Sequence, residues 1–167
     1  YKVSSRSRCP AWGSMLANRP RFGQRAEFTT GLILPSGMIV EKKAKRPIRV
    51  GVLGLGRAGW DIHVRSIQND PRYKIVAVSD GLPDRLDQAR AELDCETFPK
   101  PSELLASART DLIINAMPSQ LHASLTRDAF KARAHVVVEK PIARNVREAR
   151  GMVRAARAAG RKLFPHH

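Results

Sequence analysis

An apolar run that ends in three spaced glycines constrains this chain more than any other feature. Ile48-Arg49-Val50-Gly51-Val52-Leu53 leads into Gly54-Leu55-Gly56-Arg57-Ala58-Gly59, a G-x-G-x-x-G pattern. The run, rich in Val and Leu, predicts a buried parallel strand, and the glycines predict a tight turn into a helix. Gly54 lets the chain turn sharply, Gly56 lets the backbone approach a pyrophosphate, and Gly59 lets the helix pack close to the strand. The free N–H groups and the dipole at the helix start favour phosphate. Alone, the pattern fits a bare turn as well as a phosphate cradle, so the downstream residues decide.

From Ile48 onward strands and helices alternate, which predicts an α/β domain with a doubly wound, Rossmann-type parallel sheet. A helix is expected from about Ala58 to Gln68, with Ile62 and Ile67 toward the sheet. The second strand, Tyr73–Ser79, ends at Asp80, 21 positions after Gly59. A carboxylate there accepts the hydroxyls of an adenosine ribose and repels a 2′-phosphate, favouring NAD over NADP. As a turn residue before Gly81 and Pro83, Asp80 needs no ligand. A helix over Leu82–Glu92 places Leu86 and Ala89 inward, and Cys95–Phe98 and Leu112–Ala116 read as strands. Met117 to His122 follows as a loop at a carboxyl strand end, where open parallel sheets bind ligands. Ala123–Ala132 reads as helix and His135–Val138 as the fifth strand. Glu139-Lys140-Pro141 then puts a lysine at the crevice, where it is either functional or an ordinary solvated side chain. The last helix runs from about Asn145 to Ala159. Asn145 is its N-cap, Glu148 completes a capping box, and Val146, Ala149, Val153 and Ala156 recur at helical spacing. Lys162–Phe164 begins a sixth strand.

The net charge of +15 suggests a nucleic-acid protein until it is divided. Residues 1–47 carry ten of the 30 Lys and Arg but two of the 15 acids, so about half the excess precedes the domain. No zinc-finger or aromatic RNA-binding signature accompanies the charge, so specific nucleic-acid binding is not expected. Residues 1–47 are rich in Ser, Arg, Pro and Gly. They read as a basic leader, as a transit peptide or, preferred here, as non-native sequence ahead of Met38, disordered or loosely packed. Residues 48–167 form the expected domain. Cys9 and Cys95 have neither disulfide nor metal-ligand spacing, and no metal is expected. No apolar run reaches the roughly 18 to 20 residues of a membrane helix, and no secretory signal is evident, so the expected compartment is the cytoplasm.

Taken in order, these motifs resemble the N-terminal half of the glucose–fructose oxidoreductase and inositol dehydrogenase family (Gfo/Idh/MocA), over about Ile48 to Phe164. Gly51 to Gly59 is similar to the family's first βα turn, and His63 falls where many members carry a histidine. Ala77-Val78-Ser79-Asp80 with Asp84-Arg85 resembles its ribose-binding segment. Ala116-Met117-Pro118-Ser119-Gln120-Leu121-His122 resembles its T-P-x-x-x-H motif, with Met117 in place of Thr. Glu139-Lys140-Pro141 resembles its E-K-P signature, and Arg133 stands where the family often has Gly.

The resemblance implies a sugar, inositol or related polyol oxidised by NAD, with Lys140 as the catalytic residue at the reacting oxygen. It implies cofactor contacts from Gly54, Leu55, Gly56, Arg57, Ala58, Gly59, Asp80, Met117, Pro118, Ser119, His122 and Glu139. It also implies a second domain that supplies substrate contacts and the interface of a homo-oligomer. The chain is read as the dinucleotide-binding half without that domain, incomplete for catalysis as given. The competing readings are a non-catalytic NAD-binding module and a basic polyanion-binding protein.

Overall fold

The computed structural model describes residues 46–167, together with two short strands, Leu32–Ile33 and Ile39–Val40, that pair antiparallel. Cys9 and the expectations for the rest of the leader lie outside the described residues. Arg46, assigned to that leader, donates to Asp111 Oδ2 at 2.7 Å, and the Arg49 N–H donates to the same oxygen at 2.9 Å. The hydrogen bond from Arg46 holds the Asp111 carboxyl well below the usual carboxylate range, against the opposing effect of burial, and Arg49 adds to the lowering.

The domain is an alternating β/α chain. Strand β1 is Ile48–Leu53, and α1 is a π-helical stretch, Ala58–Val64, continued by a short α-helical turn, Arg65–Ile67. Then come β2 (Tyr73–Ser79), α2 (Pro83–Glu92), β3 (Glu96–Phe98) and α3 (Pro101–Ser107). The second half is β4 (Leu112–Asn115), α4 (Ser119–Lys131), β5 (His135–Val138), α5 (Val146–Ala158) and β6 (Leu163–Pro165). All six strands are parallel, in the order β3-β2-β1-β4-β5-β6. The order reverses direction between β1 and β4, which opens a crevice at the carboxyl ends of those two strands.

Helices cover the sheet on both sides. Leu104 of α3, Phe130 of α4 and Met152 of α5 pack with Leu53, Ile113, Val136 and Val138. Trp60 and Val64 of α1, with Leu86 and Ala89 of α2, pack on Val50, Val52 and Ile114. Adjacent residues such as Ile113 and Ile114 enter opposite cores because side chains alternate across a strand. Among the described residues no helix is long and apolar enough to cross a membrane.

Register places the functional edge. Leu53 is paired with Ser79 on one side and Asn115 on the other, and Asn115 is paired with Val138, which is paired with Pro165. The next residues, Asp80, Gly54, Ala116, Glu139 and His166, therefore form one row across the top of the sheet.

Four local expectations are corrected. Ile62 does not face the sheet and is 38% exposed, while Trp60 and His63 are buried. The wide π turn moves the inward face away from the positions an α-helical period selects. Helix α4 begins at Ser119 rather than Ala123, so Ser119 to His122 are helical; Pro118, with φ −54° and ψ 143°, leads directly into the first turn. On α5, Val146 and Val153 are exposed, and Met152 and Ala156 form the buried stripe. Asn145 does cap this helix by accepting the Glu148 N–H at 2.9 Å, but the Glu148 carboxylate turns back to Arg144 instead of to the cap.

At the end of α4, Arg133 adopts φ +62°. The Ala134 N–H donates to the Ala129 carbonyl and the Arg133 N–H to the Phe130 carbonyl, the Schellman arrangement that normally takes glycine at this position. Arg133→Gly is expected to raise stability by about 1 kcal/mol, because the left-handed backbone costs a side-chain-bearing residue that much. Urea unfolding of the two proteins measures it, and a less stable glycine variant contradicts the strain.

Candidate functional site

The glycine turn is built by two contacts that only glycine permits. Gly54 has φ +88°, and a Cβ there would lie 2.8 Å from the Ala116 carbonyl oxygen. A Cβ on Gly59 would lie 1.8 Å from the Gly54 carbonyl oxygen, so α1 sits directly on the end of β1. Gly56 differs: a Cβ there would meet only Arg85 Nη1, at 3.7 Å. Among the described residues no neighbour requires glycine at position 56. A Cβ would instead narrow a cleft of about 420 Å³ that opens above the turn.

Gly54, Gly56, Arg57 and Ala58 form one wall of this cleft, Asp80, Gly81 and Arg85 a second, and Ala116, Met117 and Pro118 a third. Of the residues singled out in the sequence, Leu55, Gly59, Ser119, His122, Glu139 and Lys140 are not on its walls. Gly59 and Leu55 are buried beneath the turn. Ser119 starts α4, and Lys140 is exposed beyond the end of β5.

Asp80 is buried at the end of β2 and ties the turn in place. Its Oδ2 accepts the Leu55 N–H at 2.7 Å and Arg85 Nη1 at 3.1 Å, and its Oδ1 accepts the Leu82 N–H at 2.9 Å. A carboxylate offers about four lone-pair sites, so capacity for ribose hydroxyls remains. The third wall is set by Asn115, a buried residue that sequence reading left in a plain strand. Its Nδ2 donates to the His122 carbonyl and to Thr126 Oγ1, both at 3.2 Å, drawing the first turns of α4 onto β4.

Next to the cleft lies a cluster whose members are remote in sequence. His63 Nε2 is 2.7 Å and His166 Nδ1 is 2.8 Å from the same atom, Glu139 Oε1. Oε2 of Glu139 accepts the Lys140 N–H at 3.2 Å. Burial pushes the Glu139 carboxyl up, but the hydrogen bond from His63 and the neighbouring charges outweigh it and leave it below its ordinary value. Burial pushes His63 down, against the raising effect of Glu139. At 2.7 Å, His63 Nε2 donates to the Glu139 carboxylate when that nitrogen carries the ring proton. Three ligand atoms within 4.8 Å of one another could also hold a metal ion. Their contacts of 2.7 and 2.8 Å are those of hydrogen bonds, whereas ligands about 2.0–2.1 Å from a tetrahedral zinc lie about 3.3 Å apart.

His122 is 1% exposed, and both ring nitrogens face carbonyl oxygens: Nε2 lies 2.6 Å from Met117 O and Nδ1 lies 2.8 Å from Pro141 O. Sequence signals pointed to both histidines but not to what they touch.

A cleft at the reversal point of a six-stranded parallel sheet, floored by a glycine turn and flanked by a buried acid, defines a dinucleotide-binding domain. Residues 48–167 match the family described as the GFO_IDH_MocA oxidoreductase family, NAD-binding Rossmann fold, and the chain belongs to that family. It is 30% identical over 118 residues to the myo-inositol 2-dehydrogenase of Thermotoga maritima, covering 70% of this chain and 35% of that one. The WlbA dehydrogenase of Bordetella pertussis, solved with NADH and UDP-GlcNAcA, superposes with a TM-score of 0.69 at 34% identity, over 73% of this chain and 35% of that one. The scyllo-inositol dehydrogenase of Lactobacillus casei, solved with NAD(H) and scyllo-inositol, gives a TM-score of 0.67 at 28% identity, over 71% of this chain and 36% of that one. The chain spans about a third of the length of these relatives.

The glycines separate fold from ligand. Gly59→Ala is expected to cost on the order of 3 kcal/mol of stability, because its Cβ would overlap backbone. Gly56→Ala is expected to melt within a few degrees of wild type yet bind NAD at least about tenfold more weakly, a loss of roughly 1.4 kcal/mol. Thermal melts and calorimetry read both, and equal NAD affinity of Gly56→Ala and wild type contradicts the cradle.

Proposed function

We propose that this chain holds NAD for hydride transfer between the nicotinamide and a secondary alcohol of a sugar, inositol or related polyol. The observation that carries this reading is the opening at Gly56, a glycine required by no neighbour among the described residues and facing the cleft. The N-terminal turn of α1 would hold the pyrophosphate through its free N–H groups, aided by the helix dipole. Asp80 would take the adenosine ribose. Met117 and Pro118 would wall the cleft toward the nicotinamide, with Ser119 behind them at the start of α4.

When bound, NAD supplies the nicotinamide carbon that accepts or donates hydride. Lys140 would hydrogen-bond the reacting oxygen and move its proton, a role that matches its place at the carboxyl edge beside the cleft. Its exposed ammonium forms no ion pair among the described residues. The relatives are about three times as long as the matched region, and residues beyond that region would supply substrate selection and complete the lysine's surroundings. The polyol class rests on the kinship with inositol and sugar dehydrogenases.

The choice between NAD and NADP is set by two opposed charges. Asp80 repels a 2′-phosphate, while Arg85, 3.1 Å away and half-exposed, attracts one. The buried carboxylate stands closer to the turn, so NAD is expected to bind about tenfold tighter than NADP, some 1.4 kcal/mol. Asp80→Asn removes the repulsion and is expected to close most of that gap. Calorimetry with both nucleotides tests this; no binding of either would sink the nucleotide reading, and equal binding by wild type the role given to Asp80.

A further inference from the structure

Two buried histidines, on helices whose first residues or lead-in wall the cleft, contact the residues on either side of Lys140: His63 the Glu139 carboxylate and His122 the Pro141 carbonyl. His63 lies on α1, just beyond the glycine turn, and bonds Glu139, whose other oxygen accepts the Lys140 N–H. His122 lies in the first turn of α4, with one nitrogen at the carbonyl of Met117, a cleft residue, and the other at the carbonyl of Pro141. The lysine is thus gripped before and after its Cα, while its side chain stays free among the described residues.

We propose that His63 and His122 are positioning residues that couple occupation of the dinucleotide cleft to the placement of Lys140. The proposal rests on the nucleotide reading above. His63 joins the helix of the glycine turn to Glu139, and His122 lies between the Met117 and Pro141 carbonyls, donating to both when its ring carries both protons and to one of them otherwise. The side chain of His63 is 8% exposed and His122 is 1% exposed, so water is largely excluded from replacing either contact. A shift of either element is then passed to the lysine's backbone or leaves a buried polar group without a partner, which is unfavourable away from water. His166 shares Oε1 of Glu139 and fixes the carboxylate from the β6 side, so movement of His63 pivots Glu139 about a second anchor.

The test uses the full chain with its lysines dimethylated by isotopically labelled formaldehyde, so that each ammonium gives its own NMR signal. Lys140→Arg identifies the signal of Lys140. NAD is expected to move that signal in wild type. In His63→Ala and His122→Ala, NAD is expected still to bind by calorimetry but to leave the signal largely unmoved. His63→Gln, whose side-chain amide can donate to Glu139, is expected to recover the movement, which a general loss of packing would not allow. If His122→Ala fails to fold, the His63 pair decides alone. NAD-bound alanine variants that move the signal as wild type does overturn the coupling, as does a wild-type chain that binds NAD without moving it. A wild-type chain that binds no NAD overturns the nucleotide reading beneath it, a different result in the same measurements.

Discussion

The close approach of Gly59 to the Gly54 carbonyl is the constraint on which the upper edge of this domain depends. It seats α1 directly on the end of β1 and fixes the direction of the helix's first N–H groups. The Leu55 N–H, turned toward β2 by the same geometry, meets the buried Asp80 carboxylate at 2.7 Å. One further turn along α1, His63 arrives within hydrogen-bonding distance of Glu139. A single backbone contact therefore sets the glycine turn, the acid beside it and the histidine that reaches the end of β5.

Much of this was legible in the sequence because the relevant signals are local. The Val- and Leu-rich run with its glycines, the apolar strands, the cap at Asn145 and the distance from Gly59 to Asp80 each follow from short-range chemistry. What escaped was set by register or by an irregular helix. The positions of Trp60 and His63 depend on a π turn, which no α-helical period describes. His63 and Glu139 are 76 residues apart and meet only because β1 and β5 flank β4 in matched register. Asn115 reads as a polar end to an apolar strand, and its grip on α4 requires knowing that the helix begins at Ser119. Arg133 stands where the family resemblance places glycine, and its φ of +62° shows why a glycine suits that position.

Asp80 and Glu139 show how one row of a sheet gives two carboxylates different tasks. Both follow directly after a strand, both are buried, and both accept backbone N–H groups nearby. Asp80 stands on the cleft wall, and its side-chain partner, Arg85, is half-exposed to solvent. Its oxygens can therefore exchange a guanidinium for hydroxyls at little cost. Glu139 has no such freedom. One oxygen receives two histidines and the other the Lys140 N–H, and removing any of these donors would leave charge poorly compensated away from water. Exchangeable partners suit an acid to recognising a ligand, and fixed partners suit it to holding its neighbours. By that criterion Asp80 is the better suited of the two to receive a ligand, and Glu139 the better suited to hold the residues around it.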